Sequence, residues 1–207
     1  MEQIRNILRP RRKFIIVCIV VTAVIAGLLS LTQPLKYSAA VRLLITQRAT
    51  FTLDPYTAIR SSELIAENLA QLTQTSSFFE RVLQSGYKIN AQYFSGTEQR
   101  RRRLWEKTVN ADSVRGTGLL KITAYHPDRS EAVKIVSAMS LLLSTQGSEY
   151  IGRDLIVRLV DAPLPSRFPV KPNIPLNMLA GGMLGFLLGS GRVWIEHRRK
   201  RHHGALI

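Results

Sequence analysis

Residues 163–191 read PLPSRFPVKPNIPLNMLAGGMLGFLLGSG. Five prolines, Pro163, Pro165, Pro169, Pro172 and Pro175, run into an uncharged segment, residues 174–191. Proline fixes φ and has no N–H, so this density favours an extended strut across 163–175. A plain linker is the alternative. The uncharged segment is close to the ~20 residues a helix needs to cross a bilayer. Gly181, Gly185 and Gly189 recur every fourth residue, which puts them on one helix face. Such a face lets a second helix approach closely. The partner is either the other apolar helix of the same chain or a helix of a neighbouring subunit. Glycine is also common in membrane helices that use no such face.

A second uncharged apolar segment runs from Phe14 to Thr32. A cleaved signal peptide would share its basic lead, but no A-x-A-like site follows and the apolar run is too long. It reads as an uncleaved membrane helix over 14–33. The chain of 207 residues carries a net charge of +15. Such an excess points to nucleic acid or to an acidic membrane surface. Its placement decides. Arg5, Arg9, Arg11, Arg12 and Lys13 stand against Glu2 in 1–13, and Arg192, Arg198, Arg199, Lys200 and Arg201 against Glu196 in 192–207. Each end contributes +4 beside an apolar segment, which leaves +7 for the middle. That is the positive-inside pattern twice over, and it sets nucleic acid aside. Both ends are then cytoplasmic, and 34–162 lies across the membrane. The single cysteine, Cys18, builds no disulfide framework.

The middle portion predicts an α+β outer domain between two transmembrane helices: a mixed sheet of about four strands with helices on one face. Tyr37–Ile45 alternates like a strand, with Tyr37, Ala39, Val41, Leu43 and Ile45 on one side. Thr50–Pro55 reads as a loop. Tyr56–Leu83 reads as helix in two pieces, broken at Thr75–Ser77 and closed before Gly86. Thr97–Lys107 is a third helix. Val109–Val114 and Leu119–Tyr125 are strands around a turn at 115–118. Asp128 opens a long helix, with D-R-S-E as a capping box and Val133, Val136, Met139 and Leu143 as its apolar stripe. Asp154–Val160 is the last strand.

A helix at each end, the strand YSAAVRLLI (37–45), the unit LLKITAYHPDRSEAVKIV (119–136) and the proline–glycine segment together resemble the Wzz-like polysaccharide co-polymerases, the chain-length determinants. The resemblance implies an oligomeric, two-pass protein of the bacterial inner membrane, with its central domain periplasmic or extracellular. The implied work is control of chain length or export of lipopolysaccharide O antigen, capsule or exopolysaccharide. Implied partners are further copies of the chain, the polymerase or export machinery, membrane lipids and, in some relatives, a tyrosine kinase. No G-x-x-x-x-G-K-[ST] is present and the tail after Gly191 is too short for a kinase domain, so a kinase would be a separate chain. No long heptad run is visible either, which points to a short member of that family.

Other chemistry is sparse. His197, His202 and His203 lie in the basic tail and His126 follows a strand; none has metal-site spacing. No G-x-S-x-G occurs. Spacing alone leaves carboxylate pairs open, although Asp54, Glu63, Glu67 and Glu80 fall where solvated charges are expected. The reading is a non-enzyme with no cofactor. Arg100, Arg101, Arg102 and Arg103 form the sharpest local feature. Successive helical residues step by about 100° and so cover the whole circumference. The run is either a contact for an anionic polymer or lipid headgroups, or a solvated helix start beside Glu98 and Glu106. Three functions remain: a co-polymerase scaffold, an adaptor that activates a separate kinase, or a two-helix membrane sensor.

Overall fold

A computed structural model describes residues 11–47, 54–151 and 155–204. Its elements in chain order are α1 (Arg12–Leu31), β1 (Tyr37–Gln47), α2 (Pro55–Leu72), α3 (Ser76–Leu83), a 3-10 turn (Ala91–Phe94), α4 (Glu98–Thr108), β2 (Val109–Ser113), β3 (Leu119–His126), α5 (Arg129–Ile151), β4 (Leu155–Pro165) and α6 (Ile174–Gly204). The chain forms two compact units, Met1–Leu35 with Lys171–Ile207, and Lys36–Val170. The expected loop at 50–55 lies mostly outside the described residues, as do Arg5, Arg9 and the expected strand start at Asp154.

The second unit is an α+β sheet domain. Its four strands run in the order β2-β3-β1-β4, and every neighbouring pair is antiparallel. The expectation of a mixed sheet is therefore corrected. The helical connection from β1 to β2 skips one place, which β3 fills, and the α5 connection from β3 to β4 skips β1. Each crossover joins strands that run the same way, but the skipped place takes a strand of opposite direction, as in split β-α-β units. The residues of β1 alternate as expected, with Ala39, Val41, Leu43 and Ile45 buried. Leu120, Ile122 and Ala124 of β3 join them, and helices α2 and α5 contribute Ile65, Leu69, Ile135, Val136, Met139 and Leu143. Each such side chain taken from water stabilises the fold by about 1.5–3 kcal/mol. The expected stripe of α5 is buried at Val136, Met139 and Leu143 and partly at Val133, and Ala132, Ile135, Ala138 and Leu142 widen it.

The helix boundaries follow from caps. Thr75 accepts the Phe78 N–H and starts α3, Thr97 accepts the Arg100 N–H and starts α4, and Asp54 does the same for α2 through Thr57. Between α3 and α4, the stretch 91–96, which has no strong periodicity, holds the 3-10 turn and puts Phe94 into the core. Phe94, Phe79 and Trp105 pack with ring centroids 4.9–5.9 Å apart, and the buried Trp105 Nε1–H donates to the Thr73 carbonyl at 2.8 Å. Aromatic contacts of this kind tie three short elements into the sheet domain.

The proline strut is shorter than expected. Pro163 and Pro165 belong to β4, where Pro165 pairs with Ala39. A proline takes no ladder donor away when its strand is at the sheet edge, as β4 is. Beyond β4, Ser166 N–H donates to Ser38 O at 2.6 Å and Val170 N–H to Lys36 O at 2.8 Å. The chain thus leaves this unit beside the point where it came in. Pro175 lies in the first turn of α6, a position that tolerates a missing N–H.

The first unit is a pair of helices. Arg12–Leu31 and Ile174–Ile195 are both long and apolar enough to cross a membrane. α6 continues past the expected boundary at Gly191 to Gly204, so residues 192–204 of the basic tail extend the same helix.

Candidate functional site

In the helix pair the apolar side chains point outward. Val17, Val21, Leu28, Leu29, Leu184 and Leu188 are exposed, while Gly181, Gly185, Gly189 and Val193 form a buried line at a spacing of four. A helix pair in water would show the reverse order; this one suits a solvent of hydrocarbon. The three glycines lie along α1 of the same chain. A Cβ added to Gly181 would stand 2.5 Å from Ala26 Cβ and 2.8 Å from the Thr22 carbonyl oxygen. At Gly185 it would run into Thr22 Oγ1 and stand 2.6 Å from Cys18 O; at Gly189 it would meet Ile15 Cα and Cys18 Cβ at 3.3 Å. The order of these contacts makes the pair antiparallel. From the α1 side, Gly27 receives Met178, whose Cγ would be 3.1 Å from an added Cβ.

Two polar details accompany the stripe. Thr22 Oγ1 donates back to the Cys18 carbonyl at 2.8 Å, which satisfies its hydroxyl within α1. Asn177 Nδ2 donates to Ser30 Oγ at 2.8 Å, a bond between the two helices. The sequence reading passed over this pair; its signal was a single Asn inside an apolar run.

The four arginines of α4 separate. Arg101 is turned toward the domain: its guanidinium pairs with Glu80 at 2.5 Å and lies over the Phe79 ring, 5.2 Å from the centroid. It follows the same inward face as Trp105 and Thr108, four and seven residues on. Arg100, Arg102 and Arg103 are exposed and, among the described residues, form no ion pair within 4.0 Å, and neither does exposed Lys107. The structure therefore brings only three of the four arginines to the surface.

The titratable groups singled out earlier have structural partners. Asp54 caps α2. Glu80 holds Arg101. Glu63 accepts from Gly116 N–H at 3.2 Å and from Arg60 at 2.8 Å, bonds that hold its pKa below the ordinary carboxylate value. His126 is buried against the Tyr93 ring, with centroids 4.3 Å apart. Its Nδ1 lies 3.0 Å from the Asp128 N–H, which donates to it, and 3.3 Å from the Asp128 carbonyl oxygen. Burial lowers its pKa below the ordinary value of a histidine, against opposing contributions from Asp128 and Glu131. The capping box at 128–131 takes a different form from the one expected. Asp128 Oδ1 caps Ser130 N–H at 2.8 Å, but the reciprocal acceptor is His126 rather than Glu131. Glu131 is engaged elsewhere, accepting from Asn90 N–H at 2.9 Å and Lys134 Nζ at 2.7 Å. Burial opposes its ionisation, but these bonds outweigh it and its pKa is lowered. Among the described residues no three His, Cys, Asp or Glu side chains are placed to hold a metal ion. An open groove of about 300 Å³ at the end of β1, lined by Leu44, Gln47, Ile59 and Ser62 among others, contains no acid or base.

The fold and the helices define a class: an α+β sheet domain accompanied by two helices long and apolar enough to cross a membrane. The family model described as Wzz, chain length determinant protein, matches residues 1–91. The matched stretch, which is similar to that family, includes α1, β1, α2 and α3. No curated protein matches it. The two apolar helices fit a two-pass membrane protein.

Proposed function

We propose that this chain is a membrane-anchored polysaccharide co-polymerase that sets the chain length, or assists the export, of a bacterial surface polysaccharide as a homo-oligomeric scaffold. The observation that carries the reading is the Wzz match across the first apolar helix and the start of the sheet domain. Both termini are cytoplasmic in this reading, from the basic residues flanking each apolar segment. The sheet domain then lies outside the plasma membrane, in contact with the polymerase or export machinery. The glycine line at 181, 185 and 189 holds α6 against α1. Exposed arginines of α4 supply a contact for polyanion or lipid. The chain works without catalysis, by position.

The test is electrophoretic sizing of the surface polysaccharide with and without the gene. Loss of the chain should change the length distribution while leaving the repeat unit intact. An unchanged distribution would refute the reading.

A further inference from the structure

The exposed cations of α4 are ordered. Arg100, Arg103 and Lys107 stand at i, i+3 and i+7, which places them on one face of the helix. At 1.5 Å per residue they form a line about 10 Å long. All three are exposed, and none has an acidic partner within 4.0 Å among the described residues. Arg102 points elsewhere, on the side of Glu98 and Glu106, each four residues away. Arg100 is also held in place. Its stem lies over Gly96, where an added Cβ would stand 2.9 Å from Arg100 Cδ. The helix beneath is rigid, since Trp105 and Arg101 anchor it to the core from the opposite face.

The chemistry of this line separates a polymer from a lipid surface. A helix that lies on a bilayer needs apolar side chains beside its cations. Here Trp105 is 1% exposed, and among the described residues no large apolar side chain between Tyr87 and Val114 is exposed. A line of unpaired guanidinium and ammonium groups, flanked only by the half-buried Leu104, which packs against the core, matches a hydrated chain that carries carboxylate or phosphate groups. We infer that Arg100, Arg103 and Lys107 bind an acidic polysaccharide. This rests on the chain-length reading and adds the class of polymer handled: one with anionic groups in its repeat.

The experiment uses the full chain in nanodiscs of neutral lipid. Its probes are polygalacturonate, dextran of matched size, and vesicles of phosphatidylcholine with or without phosphatidylglycerol. The expected result is binding to polygalacturonate, weakening as salt is added, with none to dextran. The triple variant Arg100→Gln, Arg103→Gln, Lys107→Gln should lose affinity by roughly tenfold or more. Arg102→Gln should lose far less. Equal binding to dextran, an unchanged triple variant or an equal loss from Arg102→Gln overturns the inference. So does binding to phosphatidylglycerol vesicles that depends on the same three residues, since the line would then be a lipid contact. Deletion of the gene tests the chain-length reading separately. If deletion alters the polymer but polygalacturonate does not bind, only the present inference fails; binding without any effect of deletion would leave the chain-length reading as the one in error.

Discussion

His126 shows how a single side chain links the sheet to α5. It closes β3, accepts the N–H that starts the following helix, and is covered by Tyr93 from the 3-10 turn. Its folded-state pKa is depressed by burial, and those of Glu131, Asp128 and Glu63 are depressed by hydrogen bonds. In each case the unfolded chain binds more protons across the window between the two values. Stability therefore falls as pH falls. For His126 the loss begins near its unfolded value of about 6.5, and for the carboxylates only below about 4.3. Thermal unfolding of the protein in detergent should show a decline in Tm from about pH 6.5 to 5. His126→Gln should flatten that part of the profile and keep the steeper acid loss. An unaltered slope in the variant would show that His126 is not the group responsible. Gly118 makes a second prediction at this scale. A Cβ there would run into the Ile45 carbonyl oxygen and stand 3.0 Å from Ser62 Cβ, while Ile45 N–H donates to Gly118 O at 2.7 Å. Gly118→Ala should cost about 1–3 kcal/mol, read as a lowered Tm at neutral pH. No fall in Tm would mean that the turn has room to relax.

Among the elements, those with strong local signals were legible. The alternation of β1, the break at Thr75 and the apolar stripe of α5 all rest on short-range patterns, and the structure places them within a few residues of expectation. What escaped depends on partners distant in sequence. The direction of neighbouring strands is set by which place each crossover skips. β4 extends through Pro165 because it happens to be the edge, so a proline that suggested a strut sits in the sheet. The role of Arg101 depends on Phe79 and Glu80, twenty residues earlier. The glycine spacing was visible, and α1 was one of its two possible partners; the spacing could not choose between them, because small-residue faces carry no address. The bond between Asn177 and Ser30 can be tested directly. Interhelical hydrogen bonds in membranes average about 0.6 kcal/mol. Asn177→Ala should therefore weaken helix association only slightly, whereas Gly185→Leu should disrupt it. Cross-linking of cysteines placed at the far ends of α1 and α6, compared between variants, would measure both. An Asn177→Ala effect larger than that of Gly185→Leu would invert the roles assigned here.

For the whole molecule, the domain's first and last residues are joined by hydrogen bonds, Val170 to Lys36, and the two apolar helices pack as an antiparallel pair. A reporter active only outside the cytoplasm should work when inserted in the exposed turn at 86–88 and stay silent when fused after Ile207; activity at the C-terminus would contradict a two-pass arrangement with both ends inside. The central claim is that an anchored, non-catalytic domain governs polymer length through the packing of its helices. The most direct measurement is the length distribution of surface polysaccharide in cells lacking the gene and restored with either the wild-type chain or Gly185→Leu at equal expression. The account predicts a restricted length with the wild type and a broadened or shifted distribution with Gly185→Leu, although the sheet domain is untouched. Identical distributions for the two chains would contradict it.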